Sequence, residues 1–352
     1  MLFSKRSPFL FAAALGLASL GTGALAQERT LNIYSARHYQ TDQNLYDGFA
    51  KAQNVKINRV DSDDAGILQR LKAEGSASPA DVVLLVDAAR LARADEEGLF
   101  APIKSAVLEK NIPAQYHAKT GPEGATWFGF STRARVIVYN KISVKRDTVD
   151  TYLKLADPQH KGQLCTRSGS HPYNLSLFSM MAEHLGPVPT EQWLKGLVAN
   201  MARTPKGGDT DQIKAVASGE CQIALTNSYY FARLLRSKNP EDRKVAERVG
   251  VVFPDQKGNG THVNIAGGAV AKNSKNKALA QAFLEYLSSP EAQHYFADGN
   301  NEWPVVLATK QSNAALTAMT GGKGFKADVM PISVVGNNQT KVQQMLDRVG
   351  YP

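Results

Sequence analysis

Residues 80–87, ADVVLLVD, set five consecutive apolar side chains between two aspartates. A strand with one wet face alternates apolar and polar residues, whereas an unbroken run of this length suits a strand covered on both sides, as in a parallel sheet. The segments around it fit that placement. Upstream, TLNIYS (30–35) and VKINRV (55–60) read as strands, and TDQNLYDGFAKAQ (41–53) between them reads as a helix with Leu45 and Phe49 on one face. DDAGILQRLKAEG (63–75) is a further helix, with Asp64 as the expected cap, Ile67, Leu68 and Leu71 at helical spacing, and Gly75 as its stop. AARLARADEEGLF (88–100) follows as another helix. Strand and helix alternate, so the fold class is α/β.

The alternation continues. ARVIVYN (134–140) is a strand that carries the chain toward a second lobe, where GQLCTR (162–167) and CQIALT (221–226) are strands. NLSLFSMMAEHLG (174–186), TEQWLKGLVANM (190–201, with Thr190 as cap), TDQIKAVASGE (210–220) and SYYFARLLRS (228–237) are helices. VGVVFP (249–254) and HVNIAGGAVAK (262–272) are strands that return to the first lobe, followed by the helices NKALAQAFLEYLSS (276–289), PEAQHYFADG (290–299) and QTKVQQMLDRVG (339–350). There is no internal repeat and no low-complexity tether. Two lobes joined by crossing strands are therefore expected: residues 27–135 with 254–304 as an N-lobe, and residues 136–253 with 305–352 as a C-lobe. Each lobe is expected to be a mixed sheet flanked by helices. In open α/β sheets ligands sit at the carboxyl ends of strands, so the cleft between such lobes is the expected binding place.

The first 26 residues read as a cleaved export signal, with Lys5 and Arg6, an apolar run over residues 9–20, and Ala24-Leu25-Ala26 as a small-x-small cleavage site. A periplasmic location is expected. The formal charge is +9 over 352 residues, of which Lys5 and Arg6 supply two. The remaining basic residues are scattered and join no nucleic-acid motif, so they suggest a general field favouring anions, with no nucleic-acid partner. The two cysteines, Cys165 and Cys221, in an oxidising compartment suggest one disulfide.

Chemistry gathers at three strand-to-helix junctions. Arg37-His38-Tyr39 follows the first strand, Ser168-Gly169-Ser170-His171-Pro172-Tyr173 follows GQLCTR, and Asn227-Ser228-Tyr229-Tyr230 follows CQIALT. On a strand Tyr229 and Tyr230 would point to opposite faces. In the first turn of a helix, with Ser228 as the expected cap, they diverge by only ~100° and can reach one point. Sugars call for aromatic faces with carboxylates and amides, and polyamines for acids. Zinc favours tight Cys/His spacings, and calcium carboxylate loops. Several phenols with an imidazole suit a hard, highly charged cation instead, which lets a phenol with a usual pKa of about 10 ionise near neutrality. Ferric iron is the expected ligand. Four phenolates around it would leave a net negative charge calling for a nearby cation. Arg203 and Arg37 are the first candidates, as compensating charges or as holders of a small anion, with Arg133 and Arg135 behind them.

The stretches YSARHY, PADVVLLVDAARLARADEEGLF, TRARVIVYN, GLVANMART, NSYYFARLL, GTHVNIAGGAV and SSPEAQHYFADGNNEWPV, in this order, resemble the periplasmic ferric-iron-binding proteins of ABC transporters (the FbpA and FutA type). The likeness is greatest to the subgroup with a histidine-tyrosine pair near the N-terminus. The resemblance covers essentially the whole chain after the signal. It implies a type II two-lobed periplasmic-binding-protein fold with a hinge of crossing strands, and ferric iron as transported ligand. It also implies delivery to a membrane permease driven by a cytoplasmic ATPase, with no catalysis, and a protein acting as a monomer. By position, Tyr173, Tyr229 and Tyr230 match the family's C-lobe ligands, and His38 and Tyr39 the N-lobe pair. Other members replace that pair by carbonate or water, so a synergistic anion of that kind is a further expectation.

Other features read more simply. His171 is expected to shape its turn, and His262, in KGNGTH, to be solvated. YNKISVKRD and RSKNPEDRK are charged surface loops. SGSH before a helix could hold an anion but lacks the P-loop lysine. The sequence leaves two further readings open. One is a carrier of an organic anion, phosphate or polyamine built on Arg37, Arg203 and the serine-rich loop. The other is an exported iron-dependent oxidase using the same phenolates.

Overall fold

The computed structural model describes residues 1–2, 29–37 and 40–352. Nearly all of the expected signal segment, and both His38 and Tyr39, lie outside the described residues. The first half alternates as expected: β1 (Arg29–Ser35), α1 (Gln43–Gln53), β2 (Val55–Asp61), α2 (Asp64–Glu74), β3 (Val82–Leu85) and α3 (Ala88–Glu96), then β4 (Phe100–Ala101) and α4 (Ala106–Asn111). All four residues of β3 are buried, and β1 lies between β2 and β3 with both pairings parallel. Asp63, not Asp64, caps α2: its carboxylate accepts from Gly66 N–H at 2.7 Å, while Asp64 accepts from Val86 N–H at 2.9 Å. Gly75 ends that helix at a φ of 53°, a conformation that favours glycine.

The second half contains β5 (Phe128–Asn140), β6 (Leu164–Cys165), α5 (Pro172–Leu185), α6 (Pro187–Ala199), α7 (Asp209–Ser218), β7 (Ile223–Asn227), α8 (Ser228–Arg236), α9 (Pro240–Arg248) and β8 (Val249–Val252). The chain then runs through β9 (Val263–Ala271), α10 (Lys277–Leu287), α11 (Pro290–Asp298), β10 (Trp303–Pro304), α12 (Ala314–Met319) and α13 (Ile332–Val349). Gly186 precedes α6, and Thr190, expected as its cap, lies one turn inside and donates to Gly186 O at 2.7 Å.

β5 joins the two halves. Its first residues, Phe128–Ala134, pair antiparallel with β9, which itself pairs with β3; its last residues, Arg135–Asn140, pair with β7 and β8. The spatial order is therefore β2-β1-β3-β9-β5-β7-β6, a curled mixed sheet rather than two separate ones. The core divides where the strand pairing does. One apolar cluster runs from Leu31 to Phe130 and resumes from Ile265 to Val306; two others take up residues from Ala134 to Val263, one of them joined by Ala89 and by Val335, Val342, Met345, Leu346 and Tyr351 near the C-terminus. Tyr152, buried at the crossing, donates to Arg135 O at 2.5 Å and accepts from His262 N–H at 3.1 Å, clasping β5 to the chain entering β9. Two glycines let β9 sit between its neighbours. A Cβ on Gly267 would lie 2.6 Å from Phe128 O, and one on Gly268 would lie 2.7 Å from Leu84 Cδ2. Cys165 and Cys221 form the disulfide expected from the sequence, with Cα atoms 5.9 Å apart. Among the described residues no helix is long and apolar enough to cross a membrane.

Candidate metal centre

β6 is short because the chain leaves the sheet after Cys165 to make the loop that delivers α5. His171 caps that helix: its Nδ1 accepts from Tyr173 N–H at 3.2 Å, which makes it the turn-shaping residue the sequence suggests. β7 similarly hands over to α8. Asn227 stands at the cap position, and Ser228, expected there, is the first helical residue, buried and accepting from Ala134 N–H at 3.2 Å. Tyr229 and Tyr230 thus fall in the first turn of α8, with ring centroids 4.2 Å apart and planes 31° off parallel. From the start of α5, the Tyr173 hydroxyl meets that of Tyr229 at 3.0 Å. Three phenols from two helix starts therefore gather at one place. Tyr229 is buried, and Tyr173 and Tyr230 are half-buried.

The support beneath them is a buried ion pair. Arg135, on β5, donates to Asp209 at 2.7 Å and to Asn227 at 3.1 Å through Nη1, and to Asn174 at 2.8 Å through Nη2. Asn174 follows Tyr173 and Asn227 precedes Tyr229 by two, so one guanidinium fixes both tyrosine-bearing helix starts. Asp209 also accepts from Asn227 N–H at 2.6 Å. Hydrogen bonds to the remaining capacity of a buried charge pair offset its desolvation, and the Asn174 and Asn227 amides supply part of that; among the described residues Arg135 Nε and Asp209 Oδ1 have no hydrogen-bond partner, with the Arg167 guanidinium 3.8 Å from the latter.

Cationic groups surround the rings. The guanidinium carbons of Arg135 and Arg167 lie 5.8 and 5.6 Å from the Tyr173 ring centre, and that of Arg233 lies 5.3 and 5.5 Å from those of Tyr229 and Tyr230. Burial, and then the neighbouring Tyr230, push the Tyr173 phenol above its ordinary range. Burial with Arg167 and Arg135 lowers His171 to about 3, so its imidazole is neutral. Without a metal Tyr173 is thus a neutral phenol. A bound trivalent cation would supply the field that ionises it.

Of the arginines expected from the sequence, Arg203 stands elsewhere, paired with Glu220 at 2.9 Å and with Gln212 at 3.1 Å. Arg37 is tied to Asp42 at 2.5 Å and lies 3.7 Å from Glu302. It lines, with Tyr173 and His171 opposite, a cleft of about 560 Å³ whose near wall carries Asp61, Asp63, Asp64 and Asp87. Arg135, a weaker candidate from sequence, is the arginine that organises the site. Arg167, Arg233 and Asp209 carry no expectation from the sequence, and Asn174, next to Tyr173 at its junction, carries no stated role there. Arg233 had a signal, standing four residues after Tyr229 and three after Tyr230 on the same helix face. His262, expected in solvent, is buried at 3% exposure.

A sheet crossed by one long strand, with ligand-type side chains at strand ends facing a cleft, defines the two-lobed periplasmic-binding-protein architecture. Residues 44–320 match the bacterial extracellular solute-binding proteins, and the chain belongs to that family. It is 43% identical to iron uptake protein A1 of Synechocystis sp., over 92% of this chain and 88% of that protein. It is 41% identical to iron uptake protein A2 of the same organism, over 96% and 94%. Among solved structures it resembles Trichodesmium FutA (IdiA) in complex with iron and citrate ligands, with a TM-score of 0.86 and 48% identity, over 92% of this chain and all of that one.

Proposed function

We propose that this protein captures ferric iron in the cleft between its lobes and hands it, chemically unchanged, to the membrane permease of an ABC transporter. The observation that carries the reading is the convergence of Tyr173, Tyr229 and Tyr230, with two hydroxyls 3.0 Å apart, on a base of buried Arg135 and Asp209. Three phenolate oxygens form a hard donor set suited to a trivalent cation. Arg135, Arg167 and Arg233 offset the negative charge those oxygens acquire. His38 and Tyr39, next along the chain from Arg37 at the cleft wall, complete the ligand set from the N-lobe. The cleft volume leaves room for a small anion such as carbonate or citrate beside the metal, and Trichodesmium FutA is in complex with iron and citrate ligands. A relative from Serratia marcescens is an Fe(3+)-binding periplasmic protein, which supports a periplasmic location, and the charge, apolar run and small residues of the N-terminal segment support export with cleavage after Ala26.

The lobe division at 135/136, 253/254 and 304/305 belongs to the same proposal. The separate apolar clusters support the first two boundaries, whereas Val305 and Val306 pack with the N-lobe cluster, which argues for a last boundary after Val306.

The test is optical. Metal-free protein mixed with ferric citrate is expected to develop a visible tyrosinate-to-iron charge-transfer band, and Tyr229→Phe with Tyr230→Phe is expected to abolish it. A band that survives the double replacement, or its absence in the unmodified protein, overturns the assignment.

A further inference from the structure

Behind the metal centre, at the crossing of the lobes, one side chain is bonded to three elements. Asn264 stands at the start of β9 and is 5% exposed. Its Nδ2 donates to Asp87 at 2.8 Å and to the Ser176 hydroxyl at 2.8 Å. Its Oδ1 accepts from Ala88 N–H at 3.0 Å and from Ile265 N–H at 2.8 Å. Asp87 is the cap of α3, accepting from Ala89 and Arg90 N–H. Ser176 lies on α5, three residues past Tyr173 and on the same side of that helix. Ser176 also shares a hydrogen bond with His262 Nε2 at 2.9 Å, and burial holds that imidazole neutral.

Every hydrogen-bonding position of the Asn264 amide is therefore filled. The partners are the helix start of one lobe, the strand at the crossing, and the first turns of the ligand-bearing helix of the other lobe. We infer that Asn264 is a positioning residue for the opening between the lobes: by bonding Asp87 and Ser176 together it sets the angle between α3 and α5, and with it the separation of the two walls of the cleft. Apolar packing at the same place, chiefly α13 against both α3 and α5, is non-directional and tolerates sliding. The amide is directional and does not. Asp87 also lines the cleft facing Tyr173, so a change in this linkage reaches the opening itself.

The inference rests on the iron reading for the role of Tyr173, but its test is made on metal-free protein. Lys56 and Lys195, both exposed and in opposite halves, are replaced by cysteine and spin-labelled, and the distance distribution between them is measured. The two native cysteines are bonded to each other and take no label. Asn264→Asp removes both donors and sets a second carboxylate against Asp87. It is expected to move or broaden the distribution by several ångströms. Adding Asp87→Asn exchanges donor and acceptor, leaves a residue able to cap α3, and is expected to restore the original distribution. Ser176→Ala, which removes the Asn264 and His262 bonds of Ser176 but leaves Asn264 bonded to Asp87, should give a smaller change in the same sense. A distribution unchanged in Asn264→Asp overturns the inference, as does a double variant that keeps the change of the single one. Ferric citrate supplies the control. The charge-transfer band should persist in Asn264→Asp because the three phenols are untouched, and its absence from the unmodified protein would count against iron while leaving the distance result standing.

Discussion

A phenol in the half-buried wall of a cleft keeps its proton, and the resting state of Tyr173 follows from that. Burial raises its pKa, so the hydroxyl can donate to or accept from Tyr229 until a metal replaces the proton. Capture is thus an exchange of protons for iron, and acid favours the empty form. His262 shows the opposite shift. Burial, followed by Arg135 and Arg133, depresses it to about 3 from 6.5. The unfolded chain therefore takes up this proton first as pH falls. The stability its neutral form allows is complete above 6.5 and is eroded between 6.5 and 3. Two pH units below 6.5 the loss should be about 2–3 kcal/mol. Asp64 and Asp255, both raised to about 6, work in the other direction, so the test is a difference. Urea unfolding of His262→Gln should show a flatter acid limb than the unmodified protein; parallel limbs would refute the assignment. At this scale the tyrosine pair was legible, because two phenols in succession at a helix start have few other uses. His262 was not. KGNGTH has the composition of a turn, and only the arrival of α5 beside it makes the position interior.

Each of α5 and α8 begins where a strand of the second half ends, so their first turns face one cleft and short side chains suffice to bring oxygens together. Adjacent candidates made the capping residues ambiguous in sequence. Asp63 and Asp64 could both cap α2, and the fold decides because the Asp64 carboxylate is engaged by Val86 on the neighbouring strand. Asn227 and Ser228 divide in the same way, since Ser228 is needed by Ala134. The disulfide acts on this scale too. It ties the end of β6 to the chain entering β7 across 56 residues that include α5 and its Tyr173. In the chain-entropy description such a loop contributes about 4 kcal/mol by restricting the unfolded state. Replacing both cysteines by alanine should lower stability by up to about that amount, measured by chemical unfolding, and should leave the charge-transfer band in the folded protein. A loss of colour without a loss of stability would mean that the bridge serves the site and not the fold.

Across the whole molecule the question is what iron does to the opening between the lobes. A ligand shifts a conformational equilibrium only through contacts that differ between the two states. Under the proposed function the tyrosine trio, which belongs to one half, makes the same bonds to iron in open and closed forms. The N-lobe residues His38 and Tyr39 supply the difference under the proposed function. Small-angle scattering should show the radius of gyration falling when ferric citrate is added to the unmodified protein. His38→Ala with Tyr39→Phe should keep the colour and lose the compaction. Equal compaction in that variant would remove the pair from the closing step.

The sequence by itself determined the alternation of strand and helix, the buried run at Val82–Leu85, the pairing of Cys165 with Cys221, and the placement of tyrosines at strand ends. Those features are written in periodicity and spacing, which act over a few residues, or in a count of two cysteines. Only the tertiary structure decided that Arg135 and not Arg203 carries the site, that His262 is interior, and that Asn264 links the lobes. These depend on which residues the crossing of β5 and β9 brings within about 3 Å, the reach of a hydrogen bond. That proximity is set by the packing of segments from 39 to 177 positions apart, and no local pattern records it.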